Sequence, residues 1–204
     1  EGGVVIAGGT YSTNFPVSKS ASQTTNKGDF DVFAAKFTPA GTRVWSSYFG
    51  GFGLDYANSV SVNAEGQIII AGYTESANFP VTKDGAQPVY GGGQFDMFVL
   101  KLNPGGVPVW GTYFGGSKED RALSVTSDPS GRVIVSGYTE SQNFPATLNA
   151  FQKKLGGGLD GAILELNGKG AVVWASFLGG KALDIINDNV VDGAGNILVT
   201  GHTE

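Results

Sequence analysis

Carboxylates are the side chains of this 204-residue chain best placed for chemistry, because they recur at fixed intervals. Asp55, Asp120 and Asp184 form one series and Asp31, Asp96 and Asp160 another, each stepping by 65 and then 64 residues. If the strand that follows the first series is innermost, Asp55, Asp120 and Asp184 ring one opening and could hold calcium through their oxygens. The same recurrence points to a plainer task. A residue that every unit carries serves the unit, and aspartate beside a Gly-Gly pair caps free backbone N–H groups. Capping is therefore the expected role of both series, with calcium as the alternative.

A second cluster is peculiar to one unit. Asp184, Asn187, Asp188, Asn189 and Asp192 crowd together, Asp188 and Asn189 standing where the other units have small or apolar residues, which makes Asp184, Asp188 and Asp192 a further calcium candidate. Against it, strand alternation sends Asp188 and Asn189 to opposite faces, and no calcium-loop spacing is present. Solvent exposure at the end of the array accounts for the polar run more simply. Calcium is the only cofactor the residues suggest.

Catalytic sets are harder to assemble. His202 is the only histidine and replaces Tyr73 and Tyr138 at an equivalent place, so no Ser-His-Asp set or paired-histidine site can be built around it. With no cysteine there is no thiolate nucleophile, disulfide or thiolate-bound zinc. The Gly91–Gly93 and Gly156–Gly158 runs lack the Lys-Ser/Thr and helix start of a phosphate loop. Recurring aromatics read as core, which leaves the non-repeating Phe52, Tyr56, Tyr90 and Phe151 as candidates for stacking on sugars. No catalytic residue is expected.

These residues must be positioned by a repeat. Thr10, Thr74, Thr139 and Thr203 are equivalent, as are Trp45, Trp110 and Trp174, at a period of 64 to 65 residues. Such a period is the signature of a repeat architecture, and it divides the chain into units of about 1–54 (partial), 55–119, 120–183 and 184–204 (partial). Within a unit, Asn63-Ala-Glu-Gly66, Asp128-Pro-Ser-Gly131 and Asp192-Gly-Ala-Gly195 spell type I turns, in which the first side chain accepts from a backbone N–H two residues on. Each turn joins a first strand to a second that is branched and apolar on both faces, as in Ile68-Ile-Ile-Ala71. A long loop, 75–94, leads to an alternating third strand and then a fourth that ends at Gly115-Gly116. Four antiparallel strands in sequence order make a meander. Without its loop the unit is about 44 residues, the size of a propeller blade. The expected fold is all-β, a β-propeller-like array of four-stranded antiparallel meander blades.

The compound pattern Asp-x-Phe-(Val/Ala)-x-Lys, Trp-x-(Thr/Ser)-Tyr-Phe-Gly-Gly, Asp, Asx-x-x-Gly and Gly-Tyr-Thr-x-Ser-x-Asn-Phe-Pro resembles the SBBP-type β-propeller repeat of bacterial and archaeal surface proteins. The resemblance spans essentially the whole chain and departs from the pattern in the third unit, at Gly161-Ala-Ile-Leu-Glu165 and Asp188-Asn189. It implies a propeller in an exported or cell-surface protein, often one module of a longer polypeptide, and it carries no common catalytic residues.

Composition narrows the partners. A hydrophobic share of 41% supports a real core, and a net charge of −5 offers no basic stripe for nucleic acid. No apolar run is long enough to span a bilayer, so no membrane insertion is expected, and any export signal lies outside these residues. With two units partial, the chain reads as a segment of a longer array or one whose closure needs another chain. The expected function is a non-enzymatic extracellular or cell-surface scaffold or binding module that presents its long loops to a protein or glycan. The alternatives are a self-assembling layer or filament subunit that binds further copies of itself, and an enzyme with its site at the channel mouth.

Overall fold

The computed structural model describes Gly2–Glu204. The turn expected at Glu1-Gly2 therefore lies partly outside the described residues. The described residues form strands without any helix: β1 (Val4–Thr10), β2 (Asp31–Phe37), β3 (Arg43–Phe49), β4 (Asp55–Val62), β5 (Ile68–Thr74), β6 (Asp96–Leu102), β7 (Pro108–Phe114), β8 (Asp120–Ser127), β9 (Val133–Thr139), β10 (Asp160–Leu166), β11 (Val172–Leu178), β12 (Asp184–Val191) and β13 (Ile197–Thr203). They hydrogen-bond as antiparallel sheets in sequence order, β1-β2-β3, β4-β5-β6-β7, β8-β9-β10-β11 and β12-β13. The four-stranded meander read from the sequence is formed in the second and third units, with three strands in the first and a two-stranded hairpin in the last.

Local chemistry explains the joints. Asn63, Asp128 and Asp192 each accept through Oδ1 from the N–H two residues on, at 3.1, 2.9 and 2.9 Å, and Gly66, Gly131 and Gly195 close the turns at φ of 73°, 86° and 84°. A left-handed φ is open to glycine at little cost. The first strand of three units carries a bulge. Its register against the second slips at Ala57/Ser59, Ala122/Ser124 and Ile186/Asp188, leaving Asn58, Leu123 and Asn187 as bulges. Opposite the bulge, a Cβ on Gly72, Gly137 or Gly201 would overlap the carbonyl oxygen of Tyr56, Arg121 or Ile185. Close approach of backbone to backbone fixes glycine there.

Packing follows the alternation. Met97, Val99, Trp110 and Phe114 face the third sheet in one cluster with Val133, Val135 and Leu164. Phe98, Leu100, Leu102 and Tyr113 face the first sheet beside Val32, Trp45 and Phe49. The second sheet is thus apolar on both faces because it has a neighbour on each. Small polar side chains join the first strands of successive units. Asn58 Nδ2 donates to the Ala122 carbonyl (2.7 Å), Ser61 and Ser127 share a hydrogen bond (2.9 Å), and Ser124 Oγ meets Asp188 Oδ1 at 2.6 Å.

The long loops do not hang free. Their backbones run along the fourth strand of their own unit: Thr82 N–H donates to the Gly111 carbonyl (2.9 Å) and Tyr113 N–H to the Gln87 carbonyl (3.1 Å). Ser18 with Ser46, and Thr147 with Ala175, repeat the first bond in the other units. Each loop is a strap that satisfies an edge strand's outward backbone groups.

Candidate functional site

The repeated aspartates are buried caps. Asp55, Asp96 and Asp120 are fully buried. Asp55 Oδ2 accepts from Gly51 N–H at 2.7 Å and Ser76 Oγ at 2.9 Å, and Thr74 Oγ1 donates to its other oxygen. Asp120 repeats the set with Gly116 N–H (2.7 Å) and Ser141 Oγ (2.8 Å), and Asp184 with Gly180 N–H (2.6 Å). The second series caps the strap: Asp96 Oδ2 accepts from Gly91 N–H (2.6 Å) and Asp160 Oδ2 from Gly156 N–H (2.8 Å). The two series meet at the Gly-Gly turn, where carboxyl oxygens of Asp31 and Asp55 both lie within 3 Å of where a Cβ on Gly50 would stand. Burial pushes Asp55 and Asp120 up to about 6, and burial together with the nearby Asp120 charge pushes Asp96 to about 7.

The calcium sets suggested by the sequence are not brought together. Asp184 opens β12 and Asp192 follows its last residue, so the strand's rise of about 3.3 Å per residue separates them by roughly 26 Å. Asp188 lies between, engaged by Ser124, while Asp192 is absorbed in its own turn, accepting from Ala194 and Asn196 N–H groups at 2.9 and 2.8 Å. Among the described residues no group of three or more acidic, histidine or cysteine side chains is arranged to hold a metal. Exposure explains only part of the polar run. Asp188 faces outward, but Asn189 is buried and donates through Nδ2 to Ser136 Oγ at 2.8 Å. The bulge at Asn187 sets that alternation.

Of the aromatics put forward for sugar stacking, Phe52 and Phe151 are 77% and 87% exposed on loops. Tyr90 turns inward onto the Tyr113 ring (5.7 Å between centroids). Tyr56 belongs to a row that sequence reading missed. At the end of the sheets where the first strands begin, rings follow one another as Tyr11–Phe30 (4.1 Å), Phe30–Tyr56 (5.5 Å), Tyr56–Tyr73 (5.7 Å) and Tyr73–Phe95 (4.9 Å). Arg121 completes it, its guanidinium carbon 4.4 Å from the Tyr73 ring centre and 4.5 Å from that of Phe95. Such placement over two ring faces is a cation–π arrangement. Arg121 Nε stands 2.8 Å from Glu119 Oε1, which also accepts from the Tyr138 hydroxyl at 2.7 Å. His202, at the position equivalent to Tyr73, lies exposed on β13.

One signal for this row was in the sequence. The residue after each repeated aspartate is Tyr56, Arg121 or Ile185, so a place fixed by the repeat carries a side chain the repeat does not require. No protein-family model matches the chain, and no curated protein matches it in sequence.

Proposed function

We propose that this chain is a non-enzymatic β-propeller scaffold and binding module of an extracellular or cell-surface protein. The observation that carries the reading is the unit-specific set of Tyr56, Arg121 and Glu119, displayed at one end of a frame whose other joints repeat. Recognition by variable residues on a rigid repeated frame is how solenoid and propeller surfaces work. The fan arrangement is supported by where the units touch. First strands of successive units meet through Asn58, Ser59, Ser61 and Ser124, small side chains suited to strands converging on an axis. Surface location is supported by the resemblance of the repeat.

Two measurements test it. Small-angle scattering of fanned sheets gives a radius of gyration near 17 Å, the value for a compact chain of this length, whereas sheets piled in line give a distinctly larger one. Antibody raised against the chain should label intact cells of its source; labelling only after lysis refutes the surface assignment.

A second reading, self-association, has one observation in its favour. Trp45 Nε1 donates to the Pro104 carbonyl and Trp110 Nε1 to the Gly168 carbonyl of the following unit (3.0 and 3.1 Å), but Trp174 donates to Glu165 within its own unit (3.0 Å). The matching turn of the first unit, at Gly41, has no neighbour within 4 Å of an added Cβ. Sedimentation across a concentration series, with Trp174→Ala as comparison, decides whether the two halves of this contact meet between molecules.

A further inference from the structure

We propose that the row running from Tyr11 to Arg121 binds a neutral polysaccharide, with Arg121 and Glu119 as its polar centre. The proposal rests on the binding-module reading and names the ligand class for that surface.

Arg121 is held in an unusual way. The guanidinium carbon sits over the rings of Tyr73 and Phe95, and its buried Nε is ion-paired with Glu119 Oε1 at 2.8 Å without the alignment of a hydrogen bond. Arginine offers five N–H donors in a planar fork. Here the fork is oriented by packing and by the Nε–Glu119 ion pair, which leaves the N–H groups of its two terminal nitrogens to a ligand. Glu119 is set beside it by the Tyr138 hydroxyl (2.7 Å) and supplies acceptors. Adjacent donor and acceptor groups of this kind match two neighbouring hydroxyls of a pyranose, each of which both donates and accepts.

The apolar side of a sugar needs a ring to lie on. Tyr11, 68% exposed, provides one at the far end of the row, and the half-buried Tyr56 and Tyr73 line the path between. Aromatic rings bearing a polar tip suit surfaces that are apolar on one side and wet on the other. Charge chooses among glycans. Glu119 offsets the Arg121 charge locally, and a chain of net charge −5 repels uronate-rich polymers. A neutral chain is what remains.

Native affinity electrophoresis through gels cast with mixed-linkage β-glucan, galactomannan, arabinoxylan or alginate tests the proposal. The wild-type chain should be retarded in at least one of the three neutral gels and not in alginate. Arg121→Met, which keeps the stem over Tyr73 but removes the donors, should weaken retardation about tenfold, equivalent to ~1.4 kcal/mol. Glu119→Gln should weaken it less. Tyr11→Ala alters an exposed ring alone and serves as the second variant if Arg121→Met melts early. Retardation that survives both Arg121→Met and Tyr11→Ala overturns the assignment to this row while leaving the binding-module reading intact. Retardation in alginate alone, or in no gel, overturns the ligand class, whereas the scaffold reading falls only with the scattering and labelling results.

Discussion

The indole of Trp45 covers Gly106, a residue of the next unit. Trp45 Nε1 donates to the Pro104 carbonyl at 3.0 Å, and a Cβ on Gly106 would stand 2.6 Å from the ring. Gly106 also has φ of 82°. Gly41 has the same conformation, φ 78°, with nothing within 4 Å, and so separates the two costs. Gly41→Ala should cost only about 1–2 kcal/mol, the left-handed penalty. Gly106→Ala should cost about 1–3 kcal/mol more from overpacking. Urea unfolding of both variants checks the difference. Equal losses would mean the indole contributes nothing to the choice of glycine.

The bulge makes a harsher prediction. A side chain at Gly72 meets the Tyr56 carbonyl, which is backbone and cannot swing aside. Gly72→Ala should therefore destabilise by more than ~4 kcal/mol, the exceptional range reserved for a broken backbone fit, and lower soluble yield. A far-ultraviolet melt no lower than wild type would show that the bulge can relax.

The buried carboxyls set an unusual pH dependence. Asp55 and Asp120 at about 6 and Asp96 at about 7 lie above the 3.8 of an ordinary aspartate, so the folded chain binds their protons more tightly than the unfolded one. The stability they contribute is complete below about pH 3.8 and is lost as pH rises through 6 to 7. Thermal melts from pH 4.5 to 8 should fall across this window. Asp96→Asn, a neutral isostere that keeps an acceptor for Gly91 N–H, should flatten the fall. Melting that rises from pH 5 to 8 in wild type would contradict the burial assigned to these three groups.

Calcium should be without effect on the fold. Each repeated aspartate already accepts from backbone N–H groups at its turn, and a ligand stabilises only as far as it binds the native state in preference. Millimolar calcium or a chelator should shift the melting temperature by less than about 1 °C, since weak or absent binding gives almost no linkage. A saturable rise with calcium would restore the carboxylates as ligands.

Legibility in the sequence followed periodicity. Strand order, the Asx turns at Asn63, Asp128 and Asp192, the two-faced apolar second strand and the capping aspartates were all readable, because each repeats and each has a local mechanism. The straps look like open loops in the sequence. Their bonds to the fourth strand come from backbone groups of Thr82 and Gln87, which composition does not mark, although Gln23, Gln87 and Gln152 recur at the unit spacing. Arg121 escaped for the opposite reason. Its neighbours Tyr73, Phe95, Glu119 and Tyr138 come from separate strands and loops, and only the mismatch with Tyr56 and Ile185 sets it apart. Asp188 and Asn189 take opposite faces as strand alternation predicts, but exposure does not extend to Asn189, which that alternation turns inward.

The strap along each fourth strand bears on how such a chain can grow. A sheet edge whose peptide groups are already bonded to a strap gives a stranger's strand little to zip onto. Duplication of the whole segment, strap included, therefore adds a sheet that arrives with its last edge already covered, and lengthening by copying does not bring with it the stickiness that bare sheets acquire.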